Sequence, residues 1–188
     1  MELLIVGQKS GVAYGLDPDD QGKIVWESRI GKGGPLGGIE FGGAASDRRV
    51  YFPLSDWAPN STAGGGMFAL DIATGKKIWS TAAPQSTCRN REACSTAQQA
   101  PATLIPDAVF SGSLDGHIRA YDVLNGNIIW DFDTAIVFQT VNQVQARGGS
   151  INYSGTVIAA GMVFVMSGYS SGAGMPGNVL LAFTEDGK

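Results

Sequence analysis

Apolar positions along this chain come in short runs broken by glycine and polar residues, and nowhere do they recur at the spacing of a long amphipathic helix. Leu3-Leu4-Ile5-Val6, Val50-Tyr51-Phe52, Ala108-Val109-Phe110 and Met162-Val163-Phe164-Val165 are β-prone runs. Each precedes a phrase that predicts a hairpin. In the clearest copy Met67-Phe68-Ala69-Leu70 is a strand, Asp71 opens a turn through Ala73 and Thr74, Gly75 supplies permissive backbone, and Lys77-Ile78-Trp79-Ser80 returns as the next strand. A glycine-rich segment ahead of each run is a candidate inner strand. Residues 88–102, the nearest approach to a helical pattern, read as a loop.

The hairpin phrase repeats. Tyr14-Gly-Leu-Asp17 leads to Gly22-Lys-Ile-Val-Trp26, Phe68-Ala-Leu-Asp71 to Gly75-Lys-Lys-Ile-Trp79, and Arg119-Ala-Tyr-Asp122 to Gly126-Asn-Ile-Ile-Trp130, while a fourth copy runs from Leu181-Ala-Phe to Gly187-Lys188. The turn glycines Gly22, Gly75, Gly126 and Gly187 are 53, 51 and 61 residues apart, the length of a propeller blade of four short strands. A tryptophan at one place in three copies suits a wedge between neighbouring blades. The expectation is an all-β partial propeller of about four four-stranded blades, at residues 1–31, 32–83, 84–134 and 135–188. The fourth copy stops inside its hairpin, and a ring must close to remove exposed strand edges. The chain is therefore expected to belong to a longer polypeptide, with pairing of two copies into an eight-bladed ring the alternative.

Composition removes several functions. A net charge of −4, 16% charged residues and a single His leave no basic footprint, so nucleic acid is not an expected partner. No apolar run is long enough to cross a bilayer. The glycine-rich pieces at 31–38 and 64–66 lack the following helix and the Lys-Ser/Thr pair of a phosphate loop. Cys88 and Cys94 sit six positions apart with no soft metal ligand nearby; they read as a short-range disulfide, two free thiols being the alternative. A persistent disulfide implies an oxidising compartment.

The repeat resembles the quinoprotein propeller family, whose blades carry Ala-x-Asp-x-x-Thr-Gly-x-x-x-Trp. The second copy fits at every defined position, from Ala69 through Asp71, Thr74 and Gly75 to Trp79; the third has Asn125 for Thr, and the first has Gly15 for Ala and one extra residue before Gly22. The connecting phrases Gly33-Gly-Pro-Leu-Gly-Gly38, Phe110-Ser-Gly-Ser-Leu-Asp-Gly116, Trp130-Asp-Phe-Asp-Thr134, Gly148-Gly-Ser150 and Gly174-Met-Pro-Gly-Asn-Val-Leu-Leu-Ala-Phe183 are similar to the polyvinyl-alcohol dehydrogenase branch. The resemblance implies use of pyrroloquinoline quinone (PQQ) and Ca²⁺, an alcohol substrate, cytochrome c as electron acceptor, and a periplasmic or secreted location. Ca²⁺ ligands in such enzymes come mainly from earlier blades.

Candidate site residues follow from the same resemblance. The position of a catalytic Asp falls on Gln8, a neutral amide unsuited to proton abstraction. Lys9 falls on a cationic position and is a candidate both for catalysis and for holding a quinone oxygen, or else a solvated turn lysine. In Phe52-Pro-Leu-Ser-Asp56-Trp57, Asp56 is a candidate acid or base and Trp57 a wall or stacking surface, against an ordinary loop role for both. Tyr169 in Ser167-Gly-Tyr169 stands where a cofactor-facing Trp occurs, and Arg147 suits a PQQ carboxylate, although Tyr153-Ser154-Gly155-Thr156 departs from the family pattern that follows it. Glu40 is an inner-strand carboxylate with either a base, ligand or structural role. The expected function is that of part of a PQQ-dependent alcohol dehydrogenase oxidising a secondary or polymeric alcohol and inactive alone, with a non-catalytic interaction scaffold as the alternative.

Overall fold

The first three predicted turns close by the same chemistry, the glycine amide bonding to the carbonyl of the Asp that opens the turn, whereas Gly187 closes on Thr184 O. Asp71 Oδ1 accepts from the Thr74 amide at 2.9 Å and hydroxyl at 2.7 Å, and the Gly75 amide donates to Asp71 O at 2.8 Å with Gly75 at φ +68°. Asp122 Oδ1 accepts from the Leu124 and Asn125 amides, and Gly126 closes on Asp122 O. The first copy absorbs its extra residue with Gln21 at φ +53° before Gly22. The Thr74 hydroxyl holds the Asp71 carboxyl below the usual carboxylate range.

The structure, a computed structural model, describes residues 2–58, 64–169 and 174–187. The first sheet orders β1 (Leu4–Gly7), β2 (Val12–Asp17) and β3 (Lys23–Arg29); the second β4 (Ala44–Ala45), β5 (Arg49–Pro53), β6 (Gly66–Asp71) and β7 (Lys77–Ala82). A 3₁₀ turn at Gln85–Cys88 leads to the third sheet, β8 (Thr103–Leu104), β9 (Ala108–Gly112), β10 (His117–Asp122) and β11 (Ile128–Asp133). A two-stranded ribbon, β12 (Val137–Gln139) with β13 (Gln145–Arg147), precedes the last sheet of β14 (Val157–Ala159), β15 (Met162–Ser167) and β16 (Val179–Phe183). All pairings are antiparallel between sequence neighbours, as propeller blades require.

Register preserves the repeat. Gly15, Ala69 and Ala120 face Trp26, Trp79 and Trp130, and a register shift follows at the same step each time, between Gly15 and Leu16, Ala69 and Leu70, Ala120 and Tyr121. Four strands per sheet hold for the second and third; among the described residues the first and last have three. The inner strands β4 and β8 are two residues long because Gly42 (φ +113°) and Gly43 precede one, while Pro101 and Pro106, which cannot donate to a ladder, bracket the other. The ribbon β12–β13 lies in a segment for which the repeat makes no prediction.

The tryptophans join the sheets. The Trp26 ring covers Gly75 so closely that a Cβ there would stand 2.4 Å from the indole, and Trp26 Nε1 donates to Ile72 O at 3.0 Å. Trp79 repeats both contacts, with Gly126 (2.5 Å) and with Val123 O (3.1 Å), and Trp130 lies against Gly187. The core is accordingly a series of layers between sheets. Ala13, Trp26, Ile39, Val50, Phe52 and Leu70 fill the first junction, Tyr51, Met67, Trp79, Val109 and Tyr121 the second, and Phe110, Ile118, Ile151, Val165 and Phe183 the third.

Trp79→Ala is expected to destabilise the fold by about 3–5 kcal/mol, the cost of emptying a buried aromatic site. Trp79→Phe, which keeps the ring but not the N–H bond to Val123, should fall between; guanidinium unfolding midpoints measure both.

Candidate active site

The turns that follow β1, β5, β9 and β15 lie along one edge of the assembly, and the connections between sheets are threaded between them by a repeated pair of bonds. Ile39 N donates to Gln8 O (3.1 Å) and Ser55 N to Gly38 O (2.8 Å); Gln98 N to Leu54 O (3.0 Å) and Leu114 N to Ala97 O (2.9 Å); Ile151 N to Ser113 O (3.0 Å) and Gly168 N to Ser150 O (3.0 Å). This stitching defines equivalent positions. Lys9, Ser55, Leu114 and Gly168 correspond, as do Ser10, Asp56, Asp115 and Tyr169. On the connecting segments Ile39, Gln98 and Ile151 correspond, followed by Glu40, Gln99 and Asn152, each just ahead of an inner strand. Phe41 and Tyr153, the next residues in the first and third of these segments, meet edge to face with centroids 5.4 Å apart, so those segments converge on the inner side.

Lys9 stands at the start of this edge. Its ammonium donates to Pro35 O at 2.9 Å and pairs with Glu40 Oε2 at 3.1 Å; the lysine side chain is 55% exposed and that of Glu40 only 1%. An ammonium has three donors, so one remains for another acceptor. Glu40 Oε1 is buried without a partner. Asp56, at φ +44°, accepts from the amides of Lys32 (2.8 Å), Gly33 (3.0 Å) and Gly38 (3.0 Å), using both oxygens to fix the loop that carries Pro35. Ser55 Oγ adds a bond to Leu36 O at 2.6 Å. Lys9, Glu40 and Asp56 are thus built around one glycine-rich loop, whose glycines are needed for close approach: a Cβ on Gly38 would stand 2.4 Å from Lys9 O.

The other candidates are placed separately. Trp57 follows Asp56 and is half-buried, its amide directed at Ser55 Oγ. Tyr169 is 52% exposed on the last turn, and the residues that follow it, 170–173, lie outside the described residues. Arg147 ends β13, with its backbone bonded to Asn178 on both sides and its exposed side chain lining a cavity of about 400 Å³ with Asn90, Arg91, Glu92 and Met175. It faces the cysteine hairpin rather than the Lys9 loop. Cys88 and Cys94 form a disulfide.

That hairpin is anchored by an ionic cluster that sequence reasoning missed. Arg119 and Asp115 have fully buried side chains and pair at 2.6 Å; Thr87 Oγ1 donates to Asp115 Oδ2 at 2.6 Å, and the Ser113 hydroxyl donates to Oδ1. Arg119 also reaches Asp131, which His117 Nδ1 meets at 2.6 Å, and Arg91 of the hairpin pairs with Asp133. The available signal was a charge in an aromatic position: Arg119 takes the place held by Tyr14 and Phe68 in the other copies. Burial opposes the charge on Asp131, but the His117 bond and the Arg119 charge outweigh it and hold the carboxyl below its ordinary range. Asp133 is lowered likewise, by Arg91 against burial. Burial pushes the Tyr121 phenol up to about 12 while Gln98 Nε2 donates to its oxygen.

The family profile described as outer membrane protein assembly factor BamB, a PQQ-repeat family, matches residues 6–187. The chain is 41% identical over 197 residues to a polyvinylalcohol dehydrogenase of Pseudomonas sp and 45% identical over 201 residues to one of Sphingopyxis sp. (strain 113P3). It is covered completely in both and spans 31% of each, about a third of those relatives' length. In fold it is similar to quinohemoprotein alcohol dehydrogenase from Comamonas testosteroni (TM-score 0.66, 17% identity, 99% of this chain and 32% of that one). It is also similar to BamB from Moraxella catarrhalis (TM-score 0.65, 19% identity, 100% and 48%).

Because Asp131 and Asp133 are held below the unfolded carboxylate value of about 4, their contribution to stability is complete above that pH and is lost as pH falls through the lower folded-state values. Denaturant titrations should therefore show stability declining below about pH 4, with a shallower decline in Asp131→Asn.

Proposed function

The chain belongs to the PQQ-repeat propeller family, and from that premise we propose that it is part of a PQQ-dependent dehydrogenase that oxidises a secondary or polymeric alcohol of the polyvinyl-alcohol type. The observation that carries this reading is the Lys9 ammonium, held by Glu40 and Pro35 O in the turn after β1 with one donor left over. Such a group suits a cofactor rich in carbonyl and carboxylate oxygens. PQQ, when bound, would supply the two-electron acceptor for the alcohol. Lys9 would bind one of its oxygens, Asp56 would hold the loop that positions Lys9, and Trp57 and Tyr169 would line the approach. Arg147 lies at the rim cavity and is proposed to meet an anionic group there. Among the described residues no group of three His, Cys, Asp or Glu side chains is arranged to hold a metal ion; by resemblance, the Ca²⁺ of such a dehydrogenase would take its oxygen ligands mostly from other blades of the full polypeptide.

Cytochrome c as the electron acceptor and a periplasmic or secreted location belong to the same proposal. The 41–45% identity to polyvinylalcohol dehydrogenases supports the substrate class, and the disulfide supports an oxidising compartment. Among the described residues no helix is long and apolar enough to cross a membrane. A second reading, a non-catalytic scaffold, is favoured by the BamB description of the matching family and by the neutral Gln8.

Titration of the full polypeptide with PQQ and Ca²⁺ separates the two readings. The expected result is saturable quenching of tryptophan fluorescence, reduction of an artificial acceptor on adding a secondary alcohol, and an affinity about tenfold weaker in Lys9→Ala, the loss of one charge-assisted bond. Absence of quenching and of turnover would leave the scaffold.

A further inference from the structure

One element of the turn edge takes no part in holding Lys9. The ribbon β12–β13 is fastened at its foot to the turns after β9 and β15: Thr134 donates to Gly116 O from both its amide (2.9 Å) and its hydroxyl (2.6 Å), and Asn178 N donates to Arg147 O (2.8 Å). It therefore stands on the same edge as the Lys9 turn. Residues paired across a ribbon share a face. Phe138 and Ala146, one half-buried and the other buried, form the inward face, while Val137 with Arg147 and Gln139 with Gln145 form the outward face and are all exposed. The tip is braced from within, Gln143 N donating to Thr140 O at 3.0 Å and Thr140 Oγ1 to Asn142 Oδ1 at 2.6 Å, so that Val141, Gln143 and Val144 project into solvent from a fixed turn.

From Thr134 to Ala146 no residue carries a charge, in a chain where 16% of residues do. The exposed positions divide between the methyls of Val137, Val141 and Val144 and the carboxamides of Gln139, Gln143 and Gln145, which make no side-chain hydrogen bond within the described residues. A carboxamide both donates and accepts, and so does a hydroxyl. We propose that the outward face and tip of this ribbon bind a neutral polymeric alcohol, a chain of alternating methylene and hydroxyl-bearing carbons, apart from the point of oxidation; the assignment rests on the dehydrogenase reading above. The polymer's methylenes lie on the valines and its hydroxyls exchange hydrogen bonds with the glutamines, and neither side has to strip water from a charge. Holding a long substrate on the edge where Lys9 stands raises the local concentration of its other hydroxyls there. A protein partner suits this face less well. Protein interfaces draw their binding energy from Trp, Tyr and Arg, with valine under-represented, and the one arginine of the ribbon, Arg147, lines the cavity beside the cysteine hairpin. Two strands of three residues are also too short an edge to favour strand addition.

The test uses the full polypeptide with polyvinyl alcohol as the probe. In native gels containing increasing polymer, each protein compared with its own mobility in polymer-free gel, the wild type should be retarded. The double variant Val141→Asp, Val144→Asp, which puts hydrated charges where the methyls lie, should bind about tenfold more weakly. This readout needs no cofactor and no turnover. With PQQ and Ca²⁺ loaded, the ratio of kcat/KM for the polymer to kcat/KM for a small secondary alcohol should fall about tenfold in the same variant, through the polymer's KM. Equal retardation of the two proteins, or none of the wild type, overturns the proposal. So does a smaller oligomer mass or a lower unfolding midpoint in the variant, either of which assigns the ribbon to a second copy or to the rest of the polypeptide. Val141 is fully exposed; if the double variant does not fold, Val141→Asp alone decides by the same measurements. If the loaded wild type oxidises no alcohol, the dehydrogenase reading falls and the retardation still decides the ribbon; if it oxidises both alcohols and the variant keeps their ratio, only the ribbon is excluded.

Discussion

The fold depends on an indole resting on a glycine. A blade cannot bury its own faces, so it must be covered by its neighbours, and the contact that sets their spacing is the tryptophan of one copy lying over the turn glycine of the next while its N–H bonds to a carbonyl in that turn. The glycine has two separate duties there. It adopts positive φ to close the hairpin, and it leaves room that any side chain would occupy. The repeated phrase within each copy is therefore half of a joint, and the matching half is in the following copy.

With the blades fixed in that way, the connections between them lie in a common register along the turn edge, and the repeated amide bonds from Ile39, Gln98 and Ile151 place equivalent side chains at equivalent depths. The same stitching gathers charged and polar groups beside the first loop. Asp56 gathers three amides, the glycines between residues 31 and 38 allow the loop to fold onto the Lys9 turn, and Pro35 O and Glu40 then hold the ammonium. Asp115, the equivalent of Asp56 in the third blade, turns inward to Arg119 instead. One position in the repeat thus serves a loop in one blade and an ion cluster in another, according to the partner that the adjacent strand supplies.

The buried Asp115–Arg119 pair carries the desolvation cost of two charges, offset by bonds from Thr87, Ser113 and the His117 amide and by the partly exposed Asp131. Its consequence is positional. It holds the disulfide hairpin against the third blade through Thr87 and Arg91, and this brings Asn90, Arg91 and Glu92 to the cavity that Arg147 lines.

Local sequence determined the hairpins, the all-β class and the blade repeat, because turn formation is set by a few adjacent residues: Asp71 and Thr74 with Gly75, or Asp122 with Gly126. The short spacing of Cys88 and Cys94 likewise made their pairing readable. The candidate site was legible only in part. Lys9 and Asp56 stood out as charges in glycine-rich turns, but the use of both Asp56 oxygens on amides 18 to 24 residues away and the pairing of Lys9 with Glu40 across 31 positions depend on how one sheet is stacked on the next. Arg119 looked like one more strand residue, and only the tertiary structure surrounded it with carboxylates from β11 and the preceding turn. Turn geometry is decided by neighbours along the chain, whereas the availability of a charged atom is decided by what packing brings within hydrogen-bond distance, and in a repeat protein that comes from the blade next door.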